Sequence, residues 1–188
     1  MNALMDRKLR FSDVAYAIDA TPKSLRNWLQ RKQVSLTTSE GSGWREFNLA
    51  DVAILALVRQ MVDFGLTVEE ASDFANVIIM GHRVTYDPNA THFAHAVRFV
   101  GERLLLWRSQ GEWLMRIVDA DEMKPGEYPD AYISIALSPV VARAVQRALL
   151  GSELDDWSAE EEASLTAALE KLIITIKDAA SSSEEGDE

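Results

Sequence analysis

The chain reads as an α+β protein in which helices come first, a short antiparallel sheet follows and helices return. Three observations carry that reading. Apolar residues recur at helical spacing over Leu25, Trp28 and Leu29, and again over Val52, Leu55, Val58, Met61 and Val62. The runs Arg103–Arg108, Trp113–Val118 and Ala131–Leu137 are rich in apolar and aromatic residues and are parted by turn-forming polar stretches, as strands are. Good helix N-caps, Thr21, Asn48, Thr67 and Ser158, stand just ahead of the periodic segments.

Composition sets the outer limits. Of 188 residues, 47% are hydrophobic and 26% charged, which suits one or two folded domains and leaves little room for wholesale disorder. No apolar run approaches the roughly 18 residues of a membrane helix, and the N-terminus lacks the regions of a signal peptide. A cytoplasmic protein without membrane contact is expected. The absence of cysteine excludes disulfide frameworks, thiolate metal sites and cysteine nucleophiles. The net charge of −11 speaks against a nucleic-acid partner until its distribution is considered. Residues 1–48 carry +3 and the remainder −14, so a basic head sits on an acidic body.

Taken in order, residues 1–10 form a basic N-terminal arm with Arg7, Lys8 and Arg10, either touching phosphates or fraying. A short helix is expected from Ser12 to Ile18. Asp19 and Ala20 make a tight connection, Thr21 caps a second helix, and Pro22 sits at its first position, where a missing N–H costs nothing. Leu25, Trp28 and Leu29 share the inner face of this helix, leaving Lys23, Arg26, Asn27, Gln30 and Arg31 on the rest of its surface. Amides at Asn27 and Gln30 suit adenine edges, and Arg26 and Arg31 suit guanine edges or phosphates. On its own the segment is equally an ordinary solvated amphipathic helix.

The next residues favour the DNA reading. Val34–Leu36 and Arg45–Phe47 are expected to pair as a short hairpin around a Gly- and Ser-rich tip, which makes a wing. Asn48 caps a long helix that Gly65 ends, and Thr67 with Glu70 forms a capping box for another helix closing near Gly81. Helix, helix, wing, helix, helix is a winged helix-turn-helix followed by its supporting pair.

The residues themselves then resemble one family. Phe11-Ser-Asp-Val-Ala15, Thr21-Pro-Lys-Ser-Leu-Arg-Asn-Trp28, Gly43-Trp-Arg-Glu-Phe47, Asp51-Val52 and Phe64-Gly-Leu-Thr-Val-Glu-Glu70 resemble, in order and spacing, the MerR family of winged helix-turn-helix DNA-binding proteins. The resemblance implies that the Thr21–Lys32 helix enters the major groove and that Arg26, Trp28 and Arg45 contact phosphates. Trp44 and Phe47 stand where the family usually has Tyr, so contacts through two phenolic hydroxyls are missing. Core packing explains Trp28 and Phe47 at least as well as a phosphate contact. The expected DNA-binding set is Lys23, Arg26, Asn27, Trp28, Gln30, Arg31, Trp44 and Arg45.

Beyond residue 82 no family is recognisable. Residues 83–157 read as a small α+β effector or interaction domain. Tyr86–Asn89 makes a turn, a helix is expected from Thr91 to Glu102, three strands follow, and a further helix starts at Ser138-Pro139. Trp107, Trp113 and Tyr132 either line a ligand pocket or fill a core. Residues 158–180 form an amphipathic C-terminal helix that packs on its own chain or on a second subunit, and residues 181–188 are an acidic tail disordered by composition.

No phosphate loop, metalloprotease motif or nucleophile elbow appears. His82, Asp87, His92 and His95 lack a fuller ligand pattern, so neither metal nor cofactor is expected, and nothing argues for an enzyme. The expectation is a transcriptional regulator, cytoplasmic and nucleoid-associated, that binds double-stranded DNA as a homodimer and offers its C-terminal half to RNA polymerase or another protein. The alternatives are a phage-type excision or packaging factor, or an adaptor whose winged module does not bind DNA.

Overall fold

A computed structural model describes residues 8–38, 45–81, 101–123 and 126–151. The chain divides into two units, Met1–Gly151 and Ser152–Glu188, and all described residues lie in the first. The wing tip with Trp44, the segment 82–100 with its expected turn, helix and three histidines, and the expected helix and tail after residue 157 lie outside the described residues.

The element order is α1 (Phe11–Ala17), α2 (Pro22–Gln30), α3 (Leu49–Asp63), α4 (Val68–Gly81), β1 (Glu102–Ser109), β2 (Glu112–Asp119), a short 3-10 turn (Ala120–Glu122), β3 (Ile133–Ala136) and α5 (Leu137–Leu150). This is an α+β fold with a helix-turn-helix at its N-terminal end.

Three of the helices end alike. After α1, the Asp19 and Ala20 N–H groups donate to the Tyr16 and Ala15 carbonyls. After α2, Lys32 and Gln33 donate to Leu29 and Trp28, and after α3, Gly65 and Leu66 donate to Val62 and Met61. Each pair is a Schellman cap, which turns the chain back through one residue of positive φ. Gly65 takes φ +96° at no steric cost, whereas Asp19 and Lys32 hold +52° and +53° with a Cβ. Thr67 and Glu70 form the expected capping box, each side chain accepting the other's backbone N–H at 2.9 and 3.2 Å.

Around α3 the core is built. Its residues 49–58 are buried on every face, because Leu49-Ala-Asp-Val-Ala-Ile-Leu-Ala-Leu-Val58 is apolar nearly all round. One neighbour cannot cover such a helix. The α4 helix covers one side, and α5, from the second half of the chain, packs on α3 and on α1. The sequence reading places a domain boundary at 82–83, yet one hydrophobic cluster runs from Leu9 and Val14 through Leu55 and Ile78 to Leu104, Ile135, Val141 and Ala148. The first and second halves therefore share a core among the described residues.

The sheet has the order β2-β1-β3 and is antiparallel throughout. Gln110 and Gly111 both take positive φ, +54° and +88°, giving the two-residue turn whose twist matches a hairpin. Strand register assigns the faces. Leu104, Leu106 and Arg108 lie opposite Ile117, Met115 and Trp113 on the core side, while Leu105 and Trp107 lie opposite Arg116 and Leu114 on the other. Trp107 and Trp113 thus project from opposite faces, and Tyr132 is exposed, so the three aromatics do not converge on one pocket.

The expected wing hairpin is drawn differently. Phe47 pairs with Leu9, the two exchanging backbone hydrogen bonds of 3.0 and 3.2 Å, and both side chains are buried. The segment 34–38 forms no ladder, because its backbone groups are taken by side chains of α3 and α4. Ser35 N–H donates to Ser72 Oγ at 3.0 Å, Asn76 Nδ2 donates to Ser35 O at 3.0 Å, and Thr37 N–H donates to Asp51 Oδ1 at 2.7 Å. Leu9 is accordingly a core residue, while Lys8 and Arg10 on either side of it are exposed, and the rest of the expected arm, residues 1–7, lies outside the described residues.

Candidate nucleic-acid interface

The α2 helix is held by its inner face and presents its outer one. Leu25 is fully buried and Trp28 is 9% exposed, both within the core cluster. Thr21 caps the helix, its Oγ1 accepting the Ser24 N–H at 3.1 Å. Lys23, Arg26, Asn27, Gln30 and Arg31 are all exposed, on one short helix with no acidic residue among them. That face combines amide and guanidinium donors at the spacing of successive turns, which fits base edges and phosphates in a major groove.

The structure also shows how individual side chains are steered. The Arg26 guanidinium lies 5.6 Å from the centroid of the Phe11 ring, which draws it toward the start of α1 and the exposed Arg10. Lys8 pairs with Glu46 across the Leu9–Phe47 bridge. Trp28, expected as a phosphate contact, lies with most of its ring against the core and leaves little surface for a partner. Its position is one that holds α2. Lys32, absent from the expected set, is exposed at the end of α2, turned outward by its own positive φ. A cation after the last helical turn was visible in the sequence. That it stands at a Schellman C′ position was not.

Behind the wing lies a buried carboxylate. Asp51 is fully buried at the third position of α3, where it accepts Thr37 N–H and Oγ1 at 2.7 and 2.8 Å, Thr38 Oγ1 at 2.6 Å and Asn48 N–H at 3.3 Å. Asn48 answers by accepting the Asp51 N–H at 2.8 Å, completing a capping box. The same Thr38 presents its carbonyl to Arg45 Nη2 at 3.1 Å, and the Arg45 guanidinium sits 5.8 Å from the Phe47 ring centroid. Asp51 thus fixes Thr37 and Thr38, Thr38 positions Arg45, and Arg45 stands half-buried at the base of the wing. In the sequence Asp51 stood out only within the Asp51-Val52 element of the family resemblance. Its link to Thr37 and Thr38 spans a loop and leaves no periodic signal.

Among the described residues no cluster of three or more His, Asp or Glu side chains is arranged to hold a metal ion, and no helix is long and apolar enough to cross a membrane. No curated protein matches the chain. Residues 9–76, the span from Leu9 to Asn76 that contains α1, α2, the wing base, α3 and most of α4, match the family model described as MerR HTH family regulatory protein. The N-terminal module is thus similar to the helix-turn-helix of MerR-family regulatory proteins over about a third of the chain.

Proposed function

We propose that this protein is a sequence-specific double-stranded DNA-binding regulator of transcription, acting as a dimer whose two α2 helices enter successive major grooves. The observation that carries this reading is the outer face of α2, where five donor-bearing residues stand exposed while Leu25 and Trp28 anchor the opposite face. Lys23, Arg26 and Arg31 supply charge to the phosphate backbone, Asn27 and Gln30 read base edges, and Arg45 with Trp44 in the wing grips flanking backbone. Trp28 serves by holding the helix. Half-sites of a dimer would lie about 34–36 Å apart, one helical turn. The second half of the chain is then available to RNA polymerase or another protein.

The experiment is selection of the full-length protein against a pool of randomised duplexes, followed by anisotropy titrations on the winning sequence at several salt concentrations. The expected result is one enriched motif, with Arg26→Gln and Arg31→Gln each reducing the slope of log K against log salt by roughly 0.9 for every phosphate that is no longer neutralised. Absence of any enriched sequence, or unchanged slopes in both variants, overturns the proposal and favours an adaptor whose winged module binds no DNA.

A further inference from the structure

The arginines of the helix-turn-helix are not held alike. Arg31 stands exposed at the C-cap of α2, and Arg45 is fastened at the wing base by Thr38 O and the Phe47 ring. Arg26 lies with its guanidinium 5.6 Å from the centroid of the Phe11 ring. The two phenylalanines belong to one junction, since Phe47 is bridged to Leu9 and Phe11, just beyond Leu9, opens α1. Their burial differs. Phe47 is 1% exposed and serves the core, whereas Phe11 is only partly buried where it packs against the core cluster. An exposed arginine on a short helix has no reason of its own to lean toward α1. Among the described residues no carboxylate pairs with Arg26. The acid in the first turn of α1, Asp13, accepts the Arg10 N–H at 3.1 Å and the Ser12 hydroxyl at 3.2 Å. The attraction between guanidinium and ring is what sets the direction.

Direction decides what Arg26 can reach. In a helix-turn-helix the second helix enters the groove while the first crosses the backbone, so a side chain of α2 that leans onto the start of α1 leans away from base edges and toward phosphates. On the sequence alone Arg26 suits guanine edges and phosphates alike, and the Phe11 contact selects the second. A long side chain also loses rotamer freedom when a ligand fixes it, and a contact already made in the free protein removes part of that cost. We propose that Phe11 is a positioning residue for DNA binding, its ring holding Arg26 ready for a backbone phosphate beside the start of α1. The inference rests on the DNA-binding reading above and deepens it. It divides the outer face of α2 between Arg26, which neutralises charge, and Asn27 and Gln30, which are left to read sequence.

A double-mutant cycle on the full-length chain tests this. Wild type, Phe11→Leu, Arg26→Gln and the double variant are titrated with the selected duplex at one salt concentration, together with Phe11→Tyr, which keeps a ring. Leucine preserves an apolar contact with the core, melting curves confirm that each variant folds, and Phe11→Met takes the place of Phe11→Leu if the latter does not melt cooperatively. The expected result is binding about three- to tenfold weaker in Phe11→Leu, the cost of ordering one long side chain that is no longer held in place. Phe11→Tyr should bind like wild type, and Phe11→Leu should add no further loss once Arg26 is replaced. Wild-type affinity in Phe11→Leu overturns the inference. So does an equal loss with and without Arg26, which would mean that Phe11 acts by shaping α1 and not through the arginine. In both cases the duplex is still bound and the regulator reading stands, whereas a wild-type chain that binds no duplex removes that reading and this inference with it.

Discussion

Removing the Asp51 side chain should loosen the base of the wing and the start of α3 together. In Asp51→Ala, Thr37 N–H and Asn48 N–H lose their acceptor in a part-buried place, as do two threonine hydroxyls held at 2.6–2.8 Å. Each backbone donor left unsatisfied costs about 1–3 kcal/mol, and the hydroxyls recover part of theirs by turning to water. The Asn48 cap itself survives, because its side chain accepts the backbone N–H of residue 51, which alanine keeps. The expected total is about 3–5 kcal/mol, the range for breaking a buried, charged network.

Asp51→Asn is the informative companion to the alanine variant. The amide keeps one acceptor oxygen for Thr37, and the Thr38 hydroxyl can reverse to accept from the new NH₂ group. The Asn48 N–H then faces a donor, so the cost is about 1–2 kcal/mol. Urea denaturation read as a shift in midpoint at constant m measures both variants. A cost below about 1 kcal/mol for Asp51→Ala would show that the hydrogen bonds contribute little. Equal costs for the two variants would show that the negative charge matters and the acceptor geometry does not. Because Thr38 also presents its carbonyl to Arg45, the folded Asp51→Asn protein should bind its duplex more weakly than wild type.

Four further outcomes concern other parts of the molecule. Lys32→Gly relieves a left-handed residue and should raise stability by about 0.5–1 kcal/mol while lowering the salt slope of DNA binding; a loss of stability would contradict the strain at φ +53°. Leu104→Ala, emptying a fully buried position in β1, should cost about 2–5 kcal/mol and leave a single unfolding transition at one midpoint by helix and tryptophan signals, whereas two transitions would show that the halves do not share a core. Hydrogen bonds from the Thr67 hydroxyl and N–H hold the Glu70 carboxyl below its ordinary value, so its stabilisation is present above pH about 4.5 and fades as pH falls through the folded value. Glu70→Gln should flatten that small acid-side slope in a pH series of melts, and an unchanged slope would remove Glu70 as its source. Gly111→Val forces a β-branched residue to φ +88° in the hairpin turn and should cost more than about 1 kcal/mol by urea midpoint, with no loss indicating that the turn relaxes freely.

What the sequence alone determined were the features written in neighbouring residues. Thr21 with Pro22 started α2, Thr67 with Glu70 started α4 and Gly65 ended α3, because caps bind backbone groups within one turn. The β1–β2 hairpin was legible for the same reason, as Gln110-Gly111 joins strands that are adjacent in the chain. The periodicity of Leu25 and Trp28 fixed which face of α2 turns inward, and so which residues remain outside. Tertiary structure alone decided the rest. Phe47 chose Leu9, distant in sequence, over the nearer Val34–Leu36, since the donors and acceptors of residues 35–38 were claimed by Ser72, Asn76 and Asp51 from other helices. The all-apolar α3 announced that it would be covered on every side, but not that α5 would come from beyond residue 136 to cover it. That packing joins the halves through long-range burial for which no local pattern exists.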